Sequence, residues 1–156
     1  MALKIDKVTA KKLYPNVPEW YQKEMVTEFG EEFFKEEGYE SIKTFDDACR
    51  AIGTTEKEFN EKFSTLGLDI DTFNYEKIKV VAKSINNGWV PDWSNRNQYK
   101  YYPWFEVLSS GFGFSDSTFN CTVTVTSVGS RLCFESSEQA KYAGTQFTAE
   151  YKQFLL

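Results

Sequence analysis

The chain has 156 residues, a formal net charge of −5 and no histidine, and aromatic residues make up 17% of it. The missing histidine excludes a Ser-His-Asp or Cys-His triad and a histidine-ligated zinc site. No stretch reaches the roughly 18 consecutive apolar residues that a membrane helix needs.

Residues 8–14 have the composition of a short helix that stops before Pro15. Pro18 suits the first turn of a second helix, with Asn16 as its cap. Tyr21, Met25, Phe29 and Phe33 recur every fourth residue and form one apolar stripe, which Gly30 ends or kinks. Thr44 with Asp47 opens a third helix whose inner face is Phe45, Ala48, Cys49 and Ile52; Gly53 stops it. Thr55 with Glu58 is a capping box for the next helix, striped by Phe59, Phe63 and Leu66 and stopped at Gly67. Asp71 or Thr72 opens a longer helix, with Ile78, Val81, Ala82 and Ile85 inward and Gly88 at its end.

After Gly88 the helical period disappears. Residues 89–104 read as an ordered aromatic loop. Strands are expected at about 104–108, 111–115 and 119–127, the last from the alternation of Phe119, Cys121, Val123 and Val125 with polar residues. Val128-Gly129-Ser130 turns the chain into a returning strand with Leu132 and Phe134. Ser136 with Gln139 caps a final helix along Ala140, Ala143, Phe147, Tyr151 and Phe154. Gly144 inside it marks a close backbone approach. Phe147, Tyr151 and Phe154 are expected to bury against Phe119, Cys121, Val123, Leu132 and Phe134.

These elements describe an α+β fold: an N-terminal helical lobe, a small antiparallel β-sheet, and a C-terminal helix packed on the sheet. Residues 1–156 are expected to form a single domain, helical over 1–88 and aromatic loop, sheet and helix over 89–156. The first part holds 17 acids against 13 bases, the second 6 against 5, yet the second carries 15 of the 27 aromatics. The acid excess therefore belongs to solvated helices.

Lys4, Lys7, Lys11 and Lys12 are followed by no apolar segment, so no signal peptide is expected. Cys49, Cys121 and Cys133 are odd in number, and none belongs to a CxxC pair. They read as free thiols of a reducing cytoplasm, with no metal site.

Several constellations fail on inspection. Residues 45–63 have helix-turn-helix spacing, but Glu56, Glu58 and Glu61 on the second helix would repel phosphate, so no duplex DNA reading is expected. Asp69, Asp71, Asn74 and Glu76 miss the EF-hand pattern, with Phe73 and Asn74 at its fifth and sixth places and Val80 at its twelfth. Gly111-Phe112-Gly113-Phe114 lacks the lysine of a phosphate loop. No cofactor motif is present.

The strongest feature is the run 86–105, which interleaves aromatic rings with amide and cationic side chains. Such a mixture suits a protein-binding hot spot, or stacking on bases or sugars, or a loop folded over a sheet with its rings buried. The candidate binding residues are Trp89, Trp93, Arg96, Tyr99, Lys100, Tyr101 and Arg131. The runs Gly88 to Trp93, Asn97 to Phe105, Ser109 to Phe114 and Val128 to Phe134, with Ile42 to Cys49 and Gln139 to Leu156, resemble a family of small uncharacterised proteins of gut Bacteroidota, their phages and mobile elements. The resemblance implies a phage or mobile-element setting in the cytoplasm of a bacterial host, and no catalytic or binding residues.

The function expected first is that of a non-enzymatic accessory factor whose partner is another protein, of host or phage, with no membrane involved. A second reading is single-stranded nucleic-acid binding through residues 89–105, with Arg96, Lys100 and Arg131 as cations. A third is a carboxylate-based hydrolase using two of Asp92, Glu106, Asp116 and Glu135.

Overall fold

The computed structural model describes residues 5, 9–10, 13–34, 38–121 and 131–156. Its contacts divide the chain into two compact units, Met1–Gly38 and Tyr39–Leu156. The change from helix to loop at Gly88 thus falls inside the second unit.

In the first unit a 3-10 turn, Tyr14–Asn16, precedes helix α1 (Glu19–Phe29) and the short α2 (Glu31–Phe34). The expected helix at 8–14 lies partly outside the described residues. Pro18, not Asn16, occupies the cap of α1, and no side chain caps that end. Gln22 Nε2 instead holds the preceding turn, donating to the carbonyls of Tyr14 (2.9 Å) and Val17 (3.2 Å). Met25 of the predicted stripe is fully buried. Gly30, at φ 86°, separates α1 from α2, and the Phe34 ring stacks on Tyr14 with centroids 4.0 Å apart.

The second unit is mixed α+β. Helices α3 (Phe45–Ala51), α4 (Glu56–Leu66) and α5 (Ile70–Asn86) precede a hairpin of strands β1 (Lys100–Leu108) and β2 (Gly111–Asn120), and α6 (Ser137–Gln146) and α7 (Thr148–Leu155) close it. The capping boxes at Thr44/Asp47, Thr55/Glu58 and Ser136/Gln139 are all formed. Each satisfies two otherwise orphaned N–H groups at a helix start. Helix α5 starts earlier than expected, because Asp69 is its cap, accepting from the Thr72 N–H at 2.9 Å and the Thr72 hydroxyl at 2.8 Å. That role accounts for an acid in the calcium-like cluster.

Helix α5 is the central element. It packs against α3, α6 and α7, and Ile78, Val81, Ala82 and Ile85 join Phe45, Ala48, Cys49, Phe59, Leu132, Phe134, Ala143, Phe147 and Tyr151 in one buried cluster. Polar side chains pin it to its neighbours. Asn86 Nδ2 donates to the Cys133 carbonyl at 2.8 Å, and Asn74 Nδ2 donates to the Gln153 carbonyl at 2.9 Å.

The strands are antiparallel, in register Tyr101 to Phe119 and Trp104 to Asp116, with a bulge where Ser115 is extra. β1 begins earlier than the sequence pattern suggests, and β2 joins the expected 111–115 with the start of the expected 119–127. The bulge absorbs the Ser115-Asp116 irregularity without ending the strand. The Val123 and Val125 part of that expectation, and the turn at 128–130, lie outside the described residues. Phe134 meets Tyr101 as an isolated bridge, with N–H to carbonyl bonds of 3.0 and 2.7 Å.

Helix α6 packs on both strands. The approach is close at Gly144, where a β-carbon would stand 2.3 Å from Phe114 and 2.8 Å from Pro103. The expected single C-terminal helix is two helices, because Phe147 leaves helical geometry at φ −111°, ψ 30°. The Thr148 hydroxyl donates to the Gly144 carbonyl at 2.6 Å, a side-chain bond of the kind that bends helices. Phe147 and Tyr151 are buried with Leu132 and Phe134 as expected, but Phe119 is 51% exposed and takes no part in that core. Among the described residues, no helix is long and apolar enough to cross a membrane.

Candidate functional site

The segment between α5 and β1 folds on its own amides. Helix α5 ends at Asn87 in the left-handed region, φ 43°, followed by Gly88 at φ 92°. Asp92 accepts from the Ser94 N–H (2.9 Å) and hydroxyl (2.6 Å), while its own N–H donates to Gln98 Oε1 at 2.6 Å. Asn95 Oδ1 accepts from the Asn97 N–H at 2.9 Å. The loop's short polar side chains are thus spent on local turns.

Lys100 organises the whole segment. It is completely buried, and its Nζ donates to the carbonyls of Asn95 (3.1 Å), Gln98 (2.8 Å) and Cys121 (3.0 Å). An ammonium has three donors, and all three are satisfied. The Nζ also lies 5.3 Å from the Trp93 ring centroid, within cation–π range. Lys100 therefore ties the loop to both strands, and it does not present a charge to a ligand, as the sequence reading had it do. Trp89, Trp93 and Tyr101 are half-buried, whereas Arg96 and Arg131 are exposed.

Tyr99 is the candidate residue whose ring is most open, at 48% exposure. It meets the Phe119 ring edge-on at 4.7 Å, and Phe119 lies 5.7 Å from Tyr101, so three rings cluster at the base of the hairpin. Trp104, 53% exposed, lies on the other face of the hairpin, and Val107 and Leu108 are open near its tip. These four, Phe119, Trp104, Val107 and Leu108, were not among the candidate residues. Strand alternation alone assigned Phe119 to the core, whereas the sheet has two strands and α6 covers only part of one face.

Two of the candidate carboxylates, Asp92 and Asp116, are tuned away from general-acid use. Asp92 is held below the usual carboxylate range by the Ser94 hydroxyl and N–H. Asp116 is held below it by the Ser117 N–H and by Lys141, whose Nζ is 3.2 Å away. A general acid needs the opposite shift. Burial pushes the thiols of Cys49 and Cys133 up to about 11, away from nucleophilic use at neutral pH. Among the described residues, no group of three or more Cys, Asp or Glu side chains is placed to hold a metal ion.

Comparison with known proteins gives no match to any family model, curated protein or solved structure.

Proposed function

We propose that this protein is a non-enzymatic binding factor that engages another protein through the hairpin Lys100–Asn120. The supporting observation is the exposure of Trp104 and Phe119 on a hairpin whose base is locked by the buried Lys100, and of Tyr99 just before it. Large rings held rigid before contact lose little conformational entropy on binding, which makes them effective anchors. The charge distribution favours protein over nucleic acid as the partner. With Lys100 withdrawn, the exposed charges of the hairpin are Glu106 and Asp116, which repel phosphate. The phage or mobile-element setting is part of this proposal, and it rests on the sequence resemblance.

Affinity capture from phage-infected and uninfected Bacteroidota lysates tests the reading. A protein is expected to be retained by the wild type and lost by the Tyr99→Ser/Phe119→Ser variant, at unchanged melting temperature. Equal retention by both, or no retained protein, overturns the reading. Salt-dependent quenching of tryptophan fluorescence by an oligonucleotide would support the single-strand alternative instead.

A further inference from the structure

The two faces of the hairpin differ. Pro103 and Phe114 lie against Gly144 of α6, and Phe105 meets the Tyr151 ring at 4.8 Å, so these side chains mark the covered face. Side chains alternate along a strand, which puts Trp104 and Glu106 on the opposite face, about 7 Å apart along β1. Asp116 is the register partner of Trp104, so its β-carbon stands about 5 Å across the ladder. Gly113 is the partner of Glu106 and raises no side chain beside it.

This open face therefore carries an indole 53% exposed, flanked by two exposed carboxylates and floored by a glycine. The Glu106 carboxylate has no hydrogen-bond or ion-pair partner among the described residues. Asp116 Oδ1 accepts from the Ser117 N–H at 2.7 Å and pairs with one cation, Lys141 of α6, in a pair whose side chains are 67% and 52% exposed. A solvent-exposed pair of this kind is weak and exchanges readily. The molecule's own lysine thus shows that Asp116 accepts a cation.

We infer that the face built by Trp104, Glu106 and Asp116 receives an arginine or lysine side chain of a basic segment in the partner protein. An aromatic face attracts a cation by its quadrupole, and a guanidinium stacked on it still directs N–H donors outward. The register carries Glu106 and Asp116 on the same face as the ring, where they can accept them. Charge complementarity selects the occupant: the uncovered face is acidic and aromatic, and it offers no exposed cation of its own strands. This inference rests on the hairpin being a protein-binding surface, and it adds the chemistry of what is bound.

Titration of the full chain with tetra-arginine amide, followed by amide and indole N–H shifts in two-dimensional NMR, tests it. Saturable shifts are expected at the Trp104 indole, Glu106 and Asp116, weakening as salt rises. The Glu106→Gln/Asp116→Asn variant should weaken binding by about threefold to tenfold, the scale of two exposed ion pairs. Tetra-glutamate should give no shifts. Shifts that map elsewhere, fail to saturate, or survive unchanged in the variant overturn the inference. A captured partner separates this inference from the broader reading. Loss of capture with Tyr99→Ser/Phe119→Ser but full capture with Glu106→Gln/Asp116→Asn sinks the cation site and leaves the protein-binding surface standing.

Discussion

The Nζ of Lys100 donates to the carbonyl of Cys121 at 3.0 Å, joining the first residue of β1 to the residue just past β2. The same ammonium holds Asn95 and Gln98, so one buried charge closes the loop, the strand and its neighbour together.

Lys100→Met keeps the aliphatic stem and removes the three donors. It should cost about 2–4 kcal/mol, because three partly buried carbonyls lose their partners at about 1–3 kcal/mol each and water recovers part of this. Urea titration with parallel circular dichroism checks it. A loss below about 0.5 kcal/mol would contradict a structural role for the ammonium.

Gly144→Ala should destabilise the chain even though alanine is the better helix former. A β-carbon there would meet Phe114 and Pro103 well inside contact distance. Overpacking of this kind costs about 1–3 kcal/mol, against a propensity gain of about 1 kcal/mol. Thermal denaturation should show a lowered midpoint, and a raised one would show that α6 lifts off the sheet at no cost.

Phe147→Ala and Phe119→Ala form a contrasting pair. Phe147 is 1% exposed and should cost about 3–5 kcal/mol on truncation. Phe119 is half exposed and should cost about 1 kcal/mol or less, for its two ring neighbours. Equal losses on denaturant titration would place Phe119 in the core after all.

Tyr151→Phe should be neutral or slightly stabilising. The hydroxyl is buried and has no hydrogen-bond partner among the described residues. That burial holds its pKa far above the ordinary tyrosine value. Removing an unpaired buried hydroxyl recovers up to about 1 kcal/mol of desolvation. A clear loss of stability would mean that a bound water completes the site.

Acid should weaken the chain through its helix caps. The Asp69 carboxyl is held below its ordinary value of 3.8 by the Thr72 N–H and hydroxyl. The Glu58 carboxyl is held below its ordinary 4.5 by the Thr54 hydroxyl and the Thr55 N–H. A carboxyl whose pKa is lower in the folded state contributes stability above the unfolded value and loses it as pH falls through the folded one. These two contributions are therefore constant from pH 5 to 7 and decline below about pH 4. Asp69→Asn, which keeps an acceptor for Thr72, should flatten part of that decline in a pH series of melting curves.

The elements legible in the sequence are those made by short-range bonds. Thr44 with Asp47, Thr55 with Glu58 and Ser136 with Gln139 close over three residues, so residue identity alone determines them. The turn before Gly111, at φ 120°, and the close approach at Gly144 were legible because glycine marks positions that other residues do not tolerate, although the partners at Gly144 are remote in sequence. Charge and aromatic content also separated the acidic helices from the aromatic second part. Tertiary structure decided the rest. Lys100 looked like a binding cation because sequence shows a charge but not the fold that turns the Asn95 and Gln98 carbonyls back onto it and brings Cys121 across from the end of β2. Phe119 looked internal because alternation marks a face but not whether another element covers it. The final helix carries an unbroken apolar stripe that places Phe147 in the core correctly, and the break there, at φ −111°, ψ 30°, is seen only in the folded chain, because a stripe marks a face and not the continuity of the backbone.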